Sequence, residues 1–160
     1  MTSYEIVKLV HILGSVLLLG TGLGTAFFLL MAHRSRDIDA IRVTARHAVV
    51  ADWLFTAPAV VAQPISGILL MDQLNRPYGT VWFAAVALLY VLAGLCWIPV
   101  VFIQYRLRDL ARSAESYQNI SPEFDRLMRI WITLGIPAFA AVLTIVALMV
   151  TGAGAATPLR

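Results

Sequence analysis

The chain has 160 residues, 60% of them hydrophobic and 13% charged, with a mean hydropathy of +0.82. Soluble domains carry about 25% charged residues, so this chain has too little polar surface to cover itself in water, and lipid must solvate it. The length fits one domain over residues 1–160. The formal charge of +3 raises nucleic acid as a partner, and the placement of the basic residues decides against it.

The amino terminus does not read as a cleaved signal. Glu5 and Lys8 leave no clear basic lead, and the apolar run Ile12–Ala32 exceeds the usual stretch of about 7–15 residues. Four segments reach the roughly 20 apolar residues that a membrane-spanning helix needs: Ile6–Ala32, Ala48–Met71, Val81–Ile103 and Ile130–Thr151. Helices satisfy their own backbone in lipid, whereas an isolated strand cannot. The expected fold is therefore an all-α integral membrane bundle of four transmembrane helices.

Punctuation supports the division. Ser35-Arg36-Asp37 separates the first two spans, and Asp37 or Asp39 offers an N-cap for the second. Asn75-Arg76-Pro77-Tyr78-Gly79 is a turn. Ser121-Pro122-Glu123 is a helix start, with a capping Ser, Pro in the first turn and an acid at the positive dipole end. The third helix is expected to run on past the membrane through Arg106 and Arg112. The Gly/Ala-rich run 152–156 reads as a frayed end.

Nine arginines fall on one side of the spans (Arg34, Arg36, Arg42, Arg46, Arg106, Arg108, Arg112, Arg126 and Arg129). Lys8, Arg76 and Arg160 fall on the other. Basic residues stay cytoplasmic, so both long loops are expected in the cytoplasm and both termini outside, as for a multi-pass protein of the bacterial inner membrane. The basic loops are topology signals rather than a nucleic-acid footprint. Tyr78, Tyr105 and Trp131 read as interfacial anchors. Cys96 stands alone in an apolar run and reads as a small hydrophobe.

Ionisable groups inside a membrane are functional candidates. Here they are His11 and Asp52, with His47 at the boundary. His11 shares a helix face with Gly14, Ser15, Leu18, Gly22 and Thr25. Small residues admit a neighbouring helix or a flat macrocycle, so His11 is a candidate for haem iron through neutral imidazole. An interhelical hydrogen bond is the other reading. Asp52, Thr56, Gln63 and Ser66 form one polar stripe on the second helix. Gln63, Ser66 and Trp82 share the outer depth with His11. Asp52 shares the inner depth with His47, Arg126 and Arg129, where an ion-pair lock to Arg129 and a proton relay both stay open. The bilayer core of about 30 Å keeps His11 and His47 of one subunit off the same haem. Pro58, Pro64, Pro99 and Pro137 each remove a backbone donor and bend a span.

The runs Tyr4–Gly14, Gly20–Phe28, Ala51–Thr56 and Pro64–Gly67 resemble a bacterial family of predicted integral membrane proteins that share a domain of unknown function. The resemblance covers nearly the whole chain and implies the bundle without an activity. More distantly, Lys8-Leu9-Val10-His11 and Pro64-Ile65-Ser66-Gly67-Ile68-Leu69 are similar to HemJ-type protoporphyrinogen oxidases, and the bundle to CopD-type membrane domains. In HemJ proteins the early His is implicated in haem b binding, which the resemblance carries to His11. Those proteins follow a third-helix Trp with a Lys. Here Trp82 is followed by Phe83-Ala84-Ala85-Val86-Ala87, so the resemblance does not carry protoporphyrinogen oxidation.

The leading expectation is a haem b protein engaged in redox or electron transfer. His11 would be the axial ligand and Gly14, Gly22, Gln63, Ser66 and Trp82 its surroundings. The alternative is a cofactor-free transporter-like or partner-binding bundle. Expected partners are the lipid bilayer, a second copy of the chain and a membrane redox partner.

Overall fold

A computed structural model describes residues 1–152; Arg160 and residues 153–156 of the Gly/Ala-rich tail lie outside the described part. Four long helices form the bundle: α1 (Ser3–Ser35), α2 (Ile38–Gln73), α3 (Val81–Ser113) and α4 (Pro122–Thr151). Each is long and apolar enough to cross a membrane. At 1.5 Å per residue the 33 residues of α1 reach roughly 50 Å. The bilayer core takes only about 30 Å of that, so the helices outrun the sequence-predicted spans. α2 starts ten residues before the expected Ala48, at Ile38, and α3 ends ten residues after Ile103, at Ser113.

The helix starts are set by side chains. Thr2 and Glu5 form a reciprocal capping box on α1. The Asp37 carboxylate accepts from the N–H groups of Asp39 and Ala40 and starts α2. Thr80 caps α3, and Ser121 with Pro122 opens α4. Such caps satisfy donors that no preceding turn can reach.

The helices associate as two hairpins, α1 with α2 and α3 with α4, and the first half of α2 packs on α3. The densest core lies at the end carrying the basic loops. It comprises Leu29, Ile41, Ala45, Leu107, Phe124, Met128 and Trp131, with smaller neighbours. Trp131 is therefore not a lipid-facing anchor as the sequence suggested. It shares the inward face of α4 with Phe124 and Met128, and that face is buried. Cys96 is buried and unpaired. The Arg42 guanidinium reaches the carbonyls of Ala111 (3.4 Å) and Ala114 (2.8 Å), closing the end of α3. Arg106 makes a two-pronged contact to Glu123 at 2.9 and 2.8 Å, joining α3 to the first turn of α4.

Two prolines shape α2. Pro58 has no N–H to give to Leu54, and the preceding residues Asp52–Thr56 widen into a π-helical turn in which Ala57 N–H reaches Asp52 O. Pro64 likewise leaves the Val60 carbonyl without its helical donor. The hydroxyl of Tyr90, from α3, donates to that carbonyl.

Candidate functional site

The first polar site joins α1 to the second half of α2. His11 Nδ1 lies 2.8 Å from Ser66 Oγ. Ser66 Oγ also donates to the Ala62 carbonyl at 2.6 Å. A hydroxyl has one proton to give. With that proton committed to Ala62, Ser66 can accept from Nδ1–H, an arrangement that favours the Nδ1–H tautomer of neutral His11. Its Nε2 is then an unprotonated lone pair. Nε2 has no protein partner and is not among the buried orphan atoms of the described residues. The ring itself is half-buried.

Gln63 Nε2 donates to the His11 carbonyl at 2.7 Å. The approach depends on Gly14, because a Cβ there would stand 2.5 Å from Gln63 Nε2. Gly67 is the matching small residue under the ring, where a Cβ would meet His11 Cε1 at 3.4 Å. His11, Gly14, Gln63 and Ser66 are thus brought together. Gly22 and Trp82 are not part of this cluster. A Cβ on Gly22 would meet nothing within 4 Å, so that side of α1 is open. Trp82 Nε1 donates to the Leu148 carbonyl at 3.0 Å, tying α3 to α4.

The small residues Gly20 and Gly24 belong to a different feature. With Thr21, Thr25, Phe28, Thr44, His47 and Phe55 they line an open groove of about 490 Å³ between α1 and α2. His47 is exposed there. It stands 19 residues before Ser66 on α2, or roughly 28 Å along the helix. The expected separation of the two histidines therefore holds.

The second polar site surrounds Asp52, which is 6% exposed. Its Oδ1 accepts from Thr56 Oγ1 at 2.9 Å, while Oδ2 is buried without a partner. The ion pair expected with Arg129 or His47 is not formed among the described residues. Both of those side chains are exposed, whereas Asp52 continues the buried stripe of Ile41, Ala45, Ala48 and Val49. The amide of Gln104, on α3, lies close enough to act on the carboxyl instead. Gln104 is 3% exposed, and its Oε1 is buried without a partner. Trp97 Nε1, two turns before Gln104 on α3, is a third buried orphan. Asp52 and Trp97 line a cleft of about 270 Å³ with Trp53, Phe102 and Tyr105, and Trp53 Nε1 donates to the Tyr105 hydroxyl.

Sequence reasoning missed Gln104. It lies one residue beyond the expected end of the third span at Ile103. The buried spacing Cys96, Val100, Gln104, Leu107 at helical intervals was the available signal. Among the described residues no three His, Cys, Asp or Glu side chains gather as a metal centre.

Compared with known proteins, residues 5–152 match a family described as predicted integral membrane protein (DUF2269). No curated protein and no solved structure matches the chain.

Proposed function

The chain belongs to that family of predicted integral membrane proteins, and on that premise we propose that it binds haem b through His11 and serves membrane electron transfer. The observation that carries this reading is the state of the His11 ring. An axial or metal-ligating His commonly donates its second ring nitrogen to a fixed acceptor, which sets its tautomer and orientation. Ser66 is such an acceptor at 2.8 Å, and it leaves Nε2 as the ligating atom. The donor therefore fits haem iron. The His11 ring is half-buried, so the macrocycle would lie at the surface of the bundle, alone or against a second copy of the chain.

Bound haem would supply a one-electron couple. The protein's part is to hold the imidazole. Ser66 orients the ring, Gln63 fixes the backbone at His11, and Gly14 and Gly67 let α1 and α2 approach. The orientation that follows from the basic residues places both termini outside and both long loops in the cytoplasm of a bacterium. The His11 end of the bundle would then exchange electrons near the outer face with a membrane redox partner.

The test is an absorption spectrum of the protein purified from haem-replete cells, oxidised and reduced. The expected result is a Soret band that His11→Ala abolishes and Ser66→Ala weakens, with the helical content of both variants unchanged. Colourless wild-type protein refutes the proposal. A second reading, a cofactor-free transporter-like or partner-binding bundle, draws on the buried polar set around Asp52. It is favoured if Asp52→Asn impairs function while His11→Ala leaves it intact.

A further inference from the structure

The Asp52 site is independent of the haem reading and leads elsewhere. Asp52 stands roughly 21 Å along α2 from Ser66, deep in a helix that crosses the membrane. A buried carboxylate is costly unless a cation or several donors compensate it. No Lys, Arg or His among the described residues is ion-paired with it. The groups that face it are Thr56 and Trp53 from α2, and Gln104, Trp97 and Tyr105 from α3. No charged side chain of α1 or α4 acts on it. Thr56 supplies one donor, to Oδ1, and Oδ2 has none.

A carboxylic acid differs from a carboxylate in having one O–H to donate. The neighbouring buried acceptor without a donor is Gln104 Oε1. The Gln104 amide acts on this carboxyl; turned so that Oε1 faces Oδ2, it would let one proton satisfy both buried oxygens. We propose that Asp52 carries an exchangeable proton, which it donates to Gln104 Oε1, and that this pair is a proton-binding site inside the membrane.

A glutamine amide suits the role because it answers both states. Its carbonyl accepts from the acid, and after a half-turn of the amide its N–H₂ donates to the carboxylate. The step is simple. A proton from water forms the Oδ2–H bond; on release that bond breaks, the proton returns to water and the carboxylate keeps the electron pair. The cleft lined by Asp52, Trp97 and Tyr105 brings the site to the edge of the bundle. The widened turn at Asp52–Thr56 is the part of α2 that a change in protonation would re-shape, since π-helical turns recur at functional positions.

Infrared spectroscopy of the full chain in lipid nanodiscs tests this. The expected spectrum has a protonated carboxyl C=O stretch that shifts down in heavy water. It disappears in Asp52→Asn and moves up in Gln104→Leu, where the acid loses its acceptor. Three outcomes overturn the proposal: carboxylate absorption alone, an acid band that survives Asp52→Asn, or an acid band unmoved by heavy water. Where Asp52→Asn does not accumulate, Gln104→Leu decides, and an unshifted band then overturns it.

Discussion

Gly14→Ala is the substitution whose outcome the geometry constrains most tightly. A Cβ at this position would stand 2.5 Å from Gln63 Nε2, where ordinary contact begins at 3.4 Å, and 3.5 Å from Gln63 Cδ. The clash is with the far end of a flexible side chain, so the amide moves and the helices need not. What is lost is its hydrogen bond to the His11 carbonyl. Interhelical hydrogen bonds in membranes average about 0.6 kcal/mol and reach about 1.7. Against this, Ala improves on Gly inside a helix by about 1 kcal/mol. The two effects are of similar size and opposite sign, so Gly14→Ala should change stability little. The informative measurement is a double-mutant cycle with Gln63→Ala, by reversible unfolding in mixed micelles. Gln63→Ala should cost about 0.6–1.7 kcal/mol in the parent and close to nothing in the Gly14→Ala background. Equal costs in both backgrounds would refute the contact.

Three further expectations can be checked alongside it. Tyr90→Phe should destabilise the bundle by about 1 kcal/mol, because it strips the Val60 carbonyl of its donor. Pro64→Ala should abolish that cost in unfolding measurements by restoring the helical N–H. Arg42→Ala removes the donors to Ala111 and Ala114 and should fray the last turn of α3, read as faster amide exchange there. Tyr78, in the exposed turn, donates to the Asp72 carboxylate, which holds its phenol above the ordinary tyrosine range, with desolvation adding to the shift. The folded value is raised, so this contact stabilises at neutral pH and is lost as pH rises through the folded value. Ultraviolet titration should show a late-ionising tyrosine that ionises earlier in Asp72→Asn.

The spans were legible because lipid demands long apolar runs, and the caps at Asp37 and Ser121 because short polar side chains answer a local need. The cluster of His11, Gly14, Gln63 and Ser66 was also legible: antiparallel neighbours of known length match in depth. Gly22 was placed with them by helix face and Trp82 by depth; a shared face leaves Gly22 roughly 16 Å along α1 from His11, and depth does not fix azimuth. Gly22 ends on an open side of α1, and Trp82 turns to α4. The pairing of Asp52 with Arg129 failed for a related reason. Asp52 continues the buried stripe of Ile41, Ala45, Ala48 and Val49 into the interior, while Arg129 at the same depth turns outward. Gln104 escaped because hydropathy ended the third span at Ile103; the helix was expected to run on through Arg112, but its buried stripe continues with it.

The bundle divides its labour by packing. The basic-loop end holds Leu29, Ile41, Leu107, Phe124 and Met128 at or near zero exposure, and this dense core keeps the four helices in register. Above it, cohesion comes from single directed contacts: Gln63 to the His11 carbonyl, Tyr90 to Val60 and Trp82 to Leu148. Directed contacts of this kind can be exchanged for a ligand's without dissolving a core, which a packed layer cannot offer. The two polar sites sit roughly 21 Å apart on α2, beyond the distance of about 7–10 Å over which energetic effects usually couple through contact. Chemistry at His11 and a proton at Asp52 are therefore separable by mutation. Any dependence of one on the other would have to pass along α2 itself, through the turn that Pro58 widens and the carbonyl that Pro64 releases.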